Sequence, residues 1–226
     1  MNTIGLLGNI GSGKNTVAQY LASKGCAQTS FAGPLKDLCA NIFGWERELL
    51  EGETDESRKF RETVDMFWTK KLSIPNFTPR LALQLIGTDV MRNHFNENIW
   101  ISSLEYRVKK LHHQKECVVI SDCRFQNEVN IIQAMNGTVI LVERDEKPEW
   151  YDIALKANQG DAVARHIMNR DFKNVHASEW DWIGCKIDYT LKNNSTKEEL
   201  FKQVDSILEK LPQKPQIFTE NHIEII

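Results

Sequence analysis

The stretch Gly8-Asn9-Ile10-Gly11-Ser12-Gly13-Lys14-Asn15-Thr16 leaves this chain few folds to choose from. It follows Thr3-Ile4-Gly5-Leu6-Leu7, a short apolar run that reads as a buried parallel strand. It precedes Val17, Tyr20 and Leu21, which share one face of a helix. Gly8, four residues, then Gly13-Lys14 is the spacing of a phosphate-binding loop between strand and helix. Glycines let the backbone wrap a polyphosphate without Cβ clashes. Successive N–H groups and the positive end of the helix then face the anion. Lys14 adds a mobile charge for the β- and γ-phosphates. In the usual pattern a Ser or Thr follows the lysine and holds Mg²⁺. Here that residue is Asn15 and the hydroxyl comes at Thr16, so contact with Mg²⁺ through water is expected. Gly8, Gly11, Ser12, Gly13, Lys14, Asn15 and Thr16 are thus the candidate residues for the triphosphate.

Bulk properties narrow the classes. The 226 residues fit one large domain with insertions, and the net charge of −3 does not indicate a broad basic field for nucleic acid. No run approaches the ~18 apolar residues of a membrane span, and the first residues lack the charged start of a secretory signal. The five scattered cysteines show no C-x-x-C spacing, which argues against structural zinc and for reduced thiols in a cytoplasm. Cys123 reads as a buried structural thiol.

Along the chain, residues 27–31 suggest a second strand, and Gly33-Pro34 opens a helix with Leu35, Leu38 and Ile42 as its apolar stripe, ended by Gly44. Residues 45–78 are charged, with exposed-looking Trp45 and Trp68, and read as a mobile insertion of irregular or short helical structure. Thr78-Pro79 restarts a helix that Gly87-Thr88-Asp89 interrupts, where a ligand or another backbone would approach closely. Trp100, Leu104, Val108 and Leu111 form the stripe of a further helix. Residues 117–122 read as a central strand ending in Asp122, an acid placed to sit beside the metal of a phosphate-binding loop. Phe125, Val129 and Ile132 mark another helix, and residues 138–142 a buried strand. Residues 145–182 are too long for a passive loop and read as a lid, with His166 and His176 at its surface. A last strand at 187–191, a helix at 195–211 capped by Ser195 and Glu198, and a peripheral tail from 212 complete the chain. Strands alternating with helices predict an α/β architecture, a parallel sheet covered on both sides, with the ligand at the carboxyl ends of the strands.

The Gly-Lys-x-Thr form is similar to that of nucleoside monophosphate kinases such as adenylate kinase. The chain as a whole resembles the deoxynucleoside monophosphate kinases of tailed bacteriophages. The segments that carry this are 8–16, 31–37, Arg80 with 84–89, Trp100, Asp122-Cys123-Arg124 with Asn127-Glu128, and His176-Ala177-Ser178-Glu179. The resemblance implies a three-layer P-loop kinase fold and transfer of phosphate from ATP, with Mg²⁺, to a deoxynucleoside 5′-monophosphate. It places Lys36 and Asp37 at the acceptor nucleotide, Arg80 on its phosphate, Gly87 and Thr88 along the base pocket and Trp100 beside the acceptor. Lys14, Asp122 and Arg124 border the transfer site, with Thr16 and Asp122 on the metal through water. Arg144, Arg165 and Arg170 are the lid candidates, and residues 45–78 form the acceptor-side insertion with no contacts assigned.

The resemblance further implies no nucleic-acid or membrane partner and a cytoplasmic setting, that of an infected host cell if the chain is phage-encoded. Base preference and oligomeric state stay open, a homodimer included. Dephospho-coenzyme A kinase and a ribonucleotide-specific monophosphate kinase are the enzyme alternatives. A nucleotide-gated switch is the non-enzyme one, although the guanine-selective Asn-Lys-x-Asp motif is missing.

Overall fold

A computed structural model describes residues 1–211; the expected tail at 212–226 lies outside them. Five parallel strands form one sheet in the order β2-β3-β1-β4-β5. They are β1 (Asn2–Leu7), β2 (Ala27–Thr29), β3 (Cys117–Ile120), β4 (Thr138–Glu143) and β5 (Tyr189–Lys192). Their apolar runs are continuous because both faces are covered. Side chains of β3 and β4 alternate: Val119, Ile140 and Val142 enter one core, Val118, Ile120, Val139 and Leu141 the other. The first core is closed by α1 (Lys14–Ser23) and α11 (Lys197–Lys210) through Val17, Leu21, Leu200 and Val204. The second is closed by α6 (Ile99–His112) and α7 (Gln126–Ala134) through Leu104, Val108, Val129 and Ile132. Gly5 lets α7 lie against β1, since a Cβ there would collide with Ile132.

The expected α/β sandwich is therefore observed, with four local corrections. First, α2 (Gly33–Phe43) begins at Gly33-Pro34 and ends at Gly44, but its stripe does not face a core. Leu38 and Ile42 are exposed and Cys39 is buried instead. Second, residues 45–78 fold around aromatic rings. A 3₁₀ turn (Arg47–Leu50), α3 (Asp55–Glu62) and α4 (Met66–Leu72) gather Phe43, Trp45, Phe60, Trp68 and Phe77 into a small core. Trp45 donates its indole N–H to Asp65 and Trp68 donates to the Phe43 carbonyl, so both rings are half-buried rather than exposed. Third, residues 145–182, read as a lid, are largely helical and pack on the sheet. In α8 (Tyr151–Asn158), α9 (Ala162–Asp171) and α10 (Ala177–Trp180), residues Ala154, Ala157, Met168 and Trp180 join the second core. Fourth, α11 is capped one residue later than expected, by Thr196 accepting from Glu199 N–H.

Two further expectations fall on particular residues. Thr78 caps α5 (Pro79–Gln84) as its spacing suggests, accepting from Leu81 N–H. The helix is not broken at Gly87; it widens into a π-helix from Leu85 to Phe95. The reduced-thiol expectation is overturned for one pair. Cys26, just before β2, and Cys117, the first residue of β3, lie one residue before the Ala27–Val118 pairing and are joined as a disulfide. Cys39, Cys123 and Cys185 are free, and Cys123 is buried as expected.

Candidate active site

The loop after β1 has the geometry its sequence demands. Gly8 and Gly13 have φ of 141° and 103°, a region side chains disfavour. A Cβ on Gly8 would strike the Val142 carbonyl, and one on Gly13 the Asn193 amide. Lys14 Nζ donates to the carbonyls of Gly8 at 2.7 Å and Asn9 at 2.9 Å, so the lysine folds back over its own loop. Burial, together with the Arg124 guanidinium, pulls the Lys14 ammonium down to a pKa of about 8. Ser12 Oγ and Asn9 Oδ1 are buried with no hydrogen-bond partner among the described residues. Buried polar atoms rarely stay unpaired in a finished site, so this loop fits an incoming polar ligand.

Beside the loop, sharing Ile10 with it, lies a cavity of about 720 Å³. Phe31, Ala32 and Leu35 form one wall; Gly87, Thr88 and Trp100 form another. Trp100 Nε1 donates to the Gly87 carbonyl at 2.9 Å, satisfying a backbone group within the widened helix. Gly87 is required by close approach, but of a side chain: a Cβ there would sit 2.5 Å from Leu35 Cδ2. Four arginines reach the cavity from separate elements, Arg61 from α3, Arg80 from α5, Arg92 from the π-helix and Arg124 from the segment before α7. Arg61 is half-buried, and its Nε lacks a partner. Burial and the neighbouring charges of Arg80 and Arg124 lower its pKa. Arg80 pairs with Glu62 and Arg124 with Glu179, both partly exposed.

Asp122 has a different set of partners from those expected of a metal ligand. Its Oδ1 accepts from Phe31 N–H at 2.8 Å and its Oδ2 from Ala32 N–H at 3.0 Å. The carboxylate thus clamps the turn that leads into α2. Glu128, buried at 4% exposure, accepts from the N–H groups of Arg124 and Phe125 and faces the same cavity. Burial and the nearby Asp122 charge push its carboxyl up to about 8, against the opposing pull of those N–H groups and of Arg92.

Lys14, Arg80, Gly87, Thr88, Trp100, Asp122 and Arg124 are brought to the loop and its cavity. Lys36 and Asp37 are not among the cavity's lining residues; they pair with Glu51 and Arg47. The lid candidates also fall elsewhere. Arg165 donates to the Ala157 carbonyl and stacks on Trp180, Arg170 pairs with Asp171, and Arg144 pairs with Asp145. Arg144 does line a small second pocket of about 90 Å³ behind the loop, with Asn9 and Ser12. His176 caps α10 and borders the large cavity. Asn15 donates to Glu53 at 2.7 Å, joining the loop to the 45–78 segment. Sequence reasoning assigned no role to Arg61, Arg92, Glu128, Trp150 or Glu179, all of which line the cavity. Only Glu128 and Glu179 carried a signal, as members of matching segments.

Comparison with known proteins identifies the family. Residues 51–204 match the family model described as deoxynucleotide monophosphate kinase. A protein of Acanthamoeba polyphaga mimivirus named as a deoxynucleotide monophosphate kinase is 33% identical over 94% of this chain and 99% of its own. The deoxynucleoside-5′-monophosphate kinase of Escherichia phage T5 is 27% identical over 59% of this chain and 72% of its own. Among solved structures, dephospho-CoA kinase from Campylobacter jejuni superposes with a TM-score of 0.46 at 15% identity, covering 94% of this chain and 98% of that one. By the family match and the mimivirus relative, this chain belongs to the deoxynucleotide monophosphate kinase family.

Proposed function

We propose that the protein transfers the γ-phosphoryl group of ATP to the phosphate of a deoxynucleoside 5′-monophosphate, releasing ADP and a deoxynucleoside diphosphate. The observation that carries this reading is the cavity beside the phosphate-binding loop, into which Arg61, Arg80 and Arg124 converge. Its volume of about 720 Å³ suits a nucleotide. An arginine fork grips a phosphate through parallel N–H bonds and keeps its charge.

In this reading the triphosphate occupies the loop 8–16, and Lys14 leaves the Gly8 and Asn9 carbonyls for the β- and γ-oxygens. The acceptor's phosphate is held by Arg61 and Arg80, with Arg124 between the two nucleotides. An acceptor oxygen attacks the γ-phosphorus while the bond to the β-bridging oxygen breaks, and that electron pair leaves on ADP. The acceptor phosphate is already ionised at neutral pH, so no strong general base is needed; alignment, charge neutralisation and exclusion of water suffice. Mg²⁺ would add neutralisation at the β- and γ-oxygens. Thr16 and Asp122 suit contact through water, because each Asp122 oxygen keeps acceptor capacity beyond its one N–H bond.

The test is an acceptor panel with ATP and Mg²⁺: the four common deoxynucleoside monophosphates, hydroxymethylated dCMP, the ribonucleotides and dephospho-coenzyme A. Turnover on at least one deoxynucleoside monophosphate, well above the ribonucleotides and dephospho-coenzyme A, is expected. A preference for dephospho-coenzyme A would overturn the assignment.

A further inference from the structure

The turn joining β2 to α2 is gripped from two sides. From above β3, Asp122 takes the N–H groups of Phe31 and Ala32. From α6, Arg107 takes the preceding two residues: Nη1 donates to Thr29 Oγ1 at 2.7 Å and Nη2 to the Ser30 carbonyl at 2.8 Å. Its Nε is spent on Ser103 of its own helix at 3.3 Å, which fixes the guanidinium plane. Four consecutive residues, 29 to 32, are thereby each tied to a charged side chain. The turn has little room to relax, since a Cβ at Gly33 would sit 2.9 Å from Ser30 Oγ.

Arg107 does not line the cavity, but what it holds does: Phe31 and Ala32 follow directly, and Leu35 opens the helix after them. Seven residues earlier on the same helix, Trp100 holds the Gly87 carbonyl, and Gly87 packs against Leu35. Positions seven apart stack on one helical face. One helix therefore braces two segments that line the cavity, residues 29–32 and the π-helix at Gly87. Burial lowers the Arg107 pKa, and the Asp122 and Asp37 carboxylates oppose that shift.

We propose that Arg107 is a positioning residue for the phosphoryl acceptor: by fixing residues 29–32 it holds Phe31 and Ala32 in place along the acceptor cavity, touching neither nucleotide. The proposal rests on reading that cavity as the acceptor site. A fork that bonds two acceptors at once is a task for arginine that lysine performs only in part.

The test uses the full chain with Arg107→Met, Arg107→Lys and Thr29→Val. Arg107→Met should raise KM for the deoxynucleoside monophosphate at least ten-fold and leave KM for ATP within two-fold. Arg107→Lys should recover part of that loss. In nucleotide-free protein, hydrogen exchange at the Phe31 and Ala32 amides should speed up in Arg107→Met while the amides of β1 stay protected. If Arg107→Met does not fold, Thr29→Val carries the test, because it removes a single hydroxyl acceptor at constant volume; a rise of a few-fold in acceptor KM alone is expected. Equal rises in both KM values, an unchanged acceptor KM in folded variants, or unchanged exchange at residues 31 and 32 would overturn the proposal. If wild-type protein phosphorylates no deoxynucleoside monophosphate, the functional reading fails, and the exchange measurement still decides whether Arg107 fixes the turn.

Discussion

Lys14 illustrates how a single residue can be poised by its surroundings. Its ammonium is held near a pKa of about 8 by burial and Arg124, well below an ordinary lysine. A polyphosphate would reverse that shift by supplying opposite charge. Above pH ~8 the free protein therefore lacks the proton that the complex carries. ATP binding is expected to take up a fraction of a proton at pH 8 and to weaken as pH rises further. Calorimetry in buffers of different ionisation enthalpy measures this directly, and no proton uptake would mean that Lys14 is already charged. Lys14→Ala should stay folded and lose turnover. The arginines of the cavity divide by burial. Losing a bidentate phosphate contact from a partly dry site costs on the order of 2–3 kcal/mol, or tens-fold in KM. Arg61→Ala should reach that size. Arg80→Ala, more exposed and already paired with Glu62, should raise acceptor KM by less. ATP affinity should hardly change in either, and steady-state kinetics with each substrate varied in turn would show it.

At the scale of elements, the π-helix and the start of α7 carry the cavity's strain and charge. Gly87 lies against Leu35 so closely that Gly87→Ala must shift the Leu35 side chain, the widened helix or α2. We expect a loss of about 1–3 kcal/mol, read as a lowered denaturation midpoint, together with a raised acceptor KM. An unchanged midpoint would mean that Leu35 moves freely. Glu128 caps the first turn of α7 from a buried position with its carboxyl near a pKa of about 8. The unfolded value is close to 4.5, so between these two pH values the folded state binds more protons than the unfolded state. Stability should therefore fall as pH rises from about 4.5 to about 8. Glu128→Gln keeps an oxygen for the Arg124 and Phe125 N–H groups but cannot ionise, so its stability should fall less across that window. Parallel slopes for variant and wild type in urea midpoints against pH would show that Glu128 is ionised throughout.

The whole molecule separates its anchored end from its working end. The Cys26–Cys117 disulfide joins two strand starts, while the phosphate-binding loop and cavity lie at the carboxyl ends. Between them stands a sheet buried on both faces. No helix among the described residues is long and apolar enough to cross a membrane. A ligand that seats only in the folded loop stabilises the entire domain by mass action, about 2.7 kcal/mol at one hundred times its Kd. ATP is therefore expected to raise the melting temperature of wild-type protein. Under the same conditions it should leave Lys14→Ala nearly unmoved, and an equal rise in that variant would move ATP away from the loop.

The sequence alone determined the features whose physics is local. The glycines of residues 8–13 and Lys14 admit one loop, Thr78 and Pro79 start a helix by capping, and apolar runs such as Val118-Val119-Ile120 make buried strands. Tertiary structure decided whatever depends on partners distant in the chain. Asp122 at a strand end reads as a candidate metal ligand, and only the fold shows that its two oxygens each also take an N–H, from Phe31 and Ala32, some ninety residues away. Leu38 and Ile42 have the period of a core face, but α2 turns that face to solvent, since period alone names no partner. Arg61 and Arg107 carry nothing in the sequence that separates them from Arg165 and Arg170, all charged residues on helices. Packing sends Arg61 into the cavity and Arg107 onto the turn that lines it, and leaves Arg165 on a helix carbonyl and Arg170 paired with its neighbour Asp171.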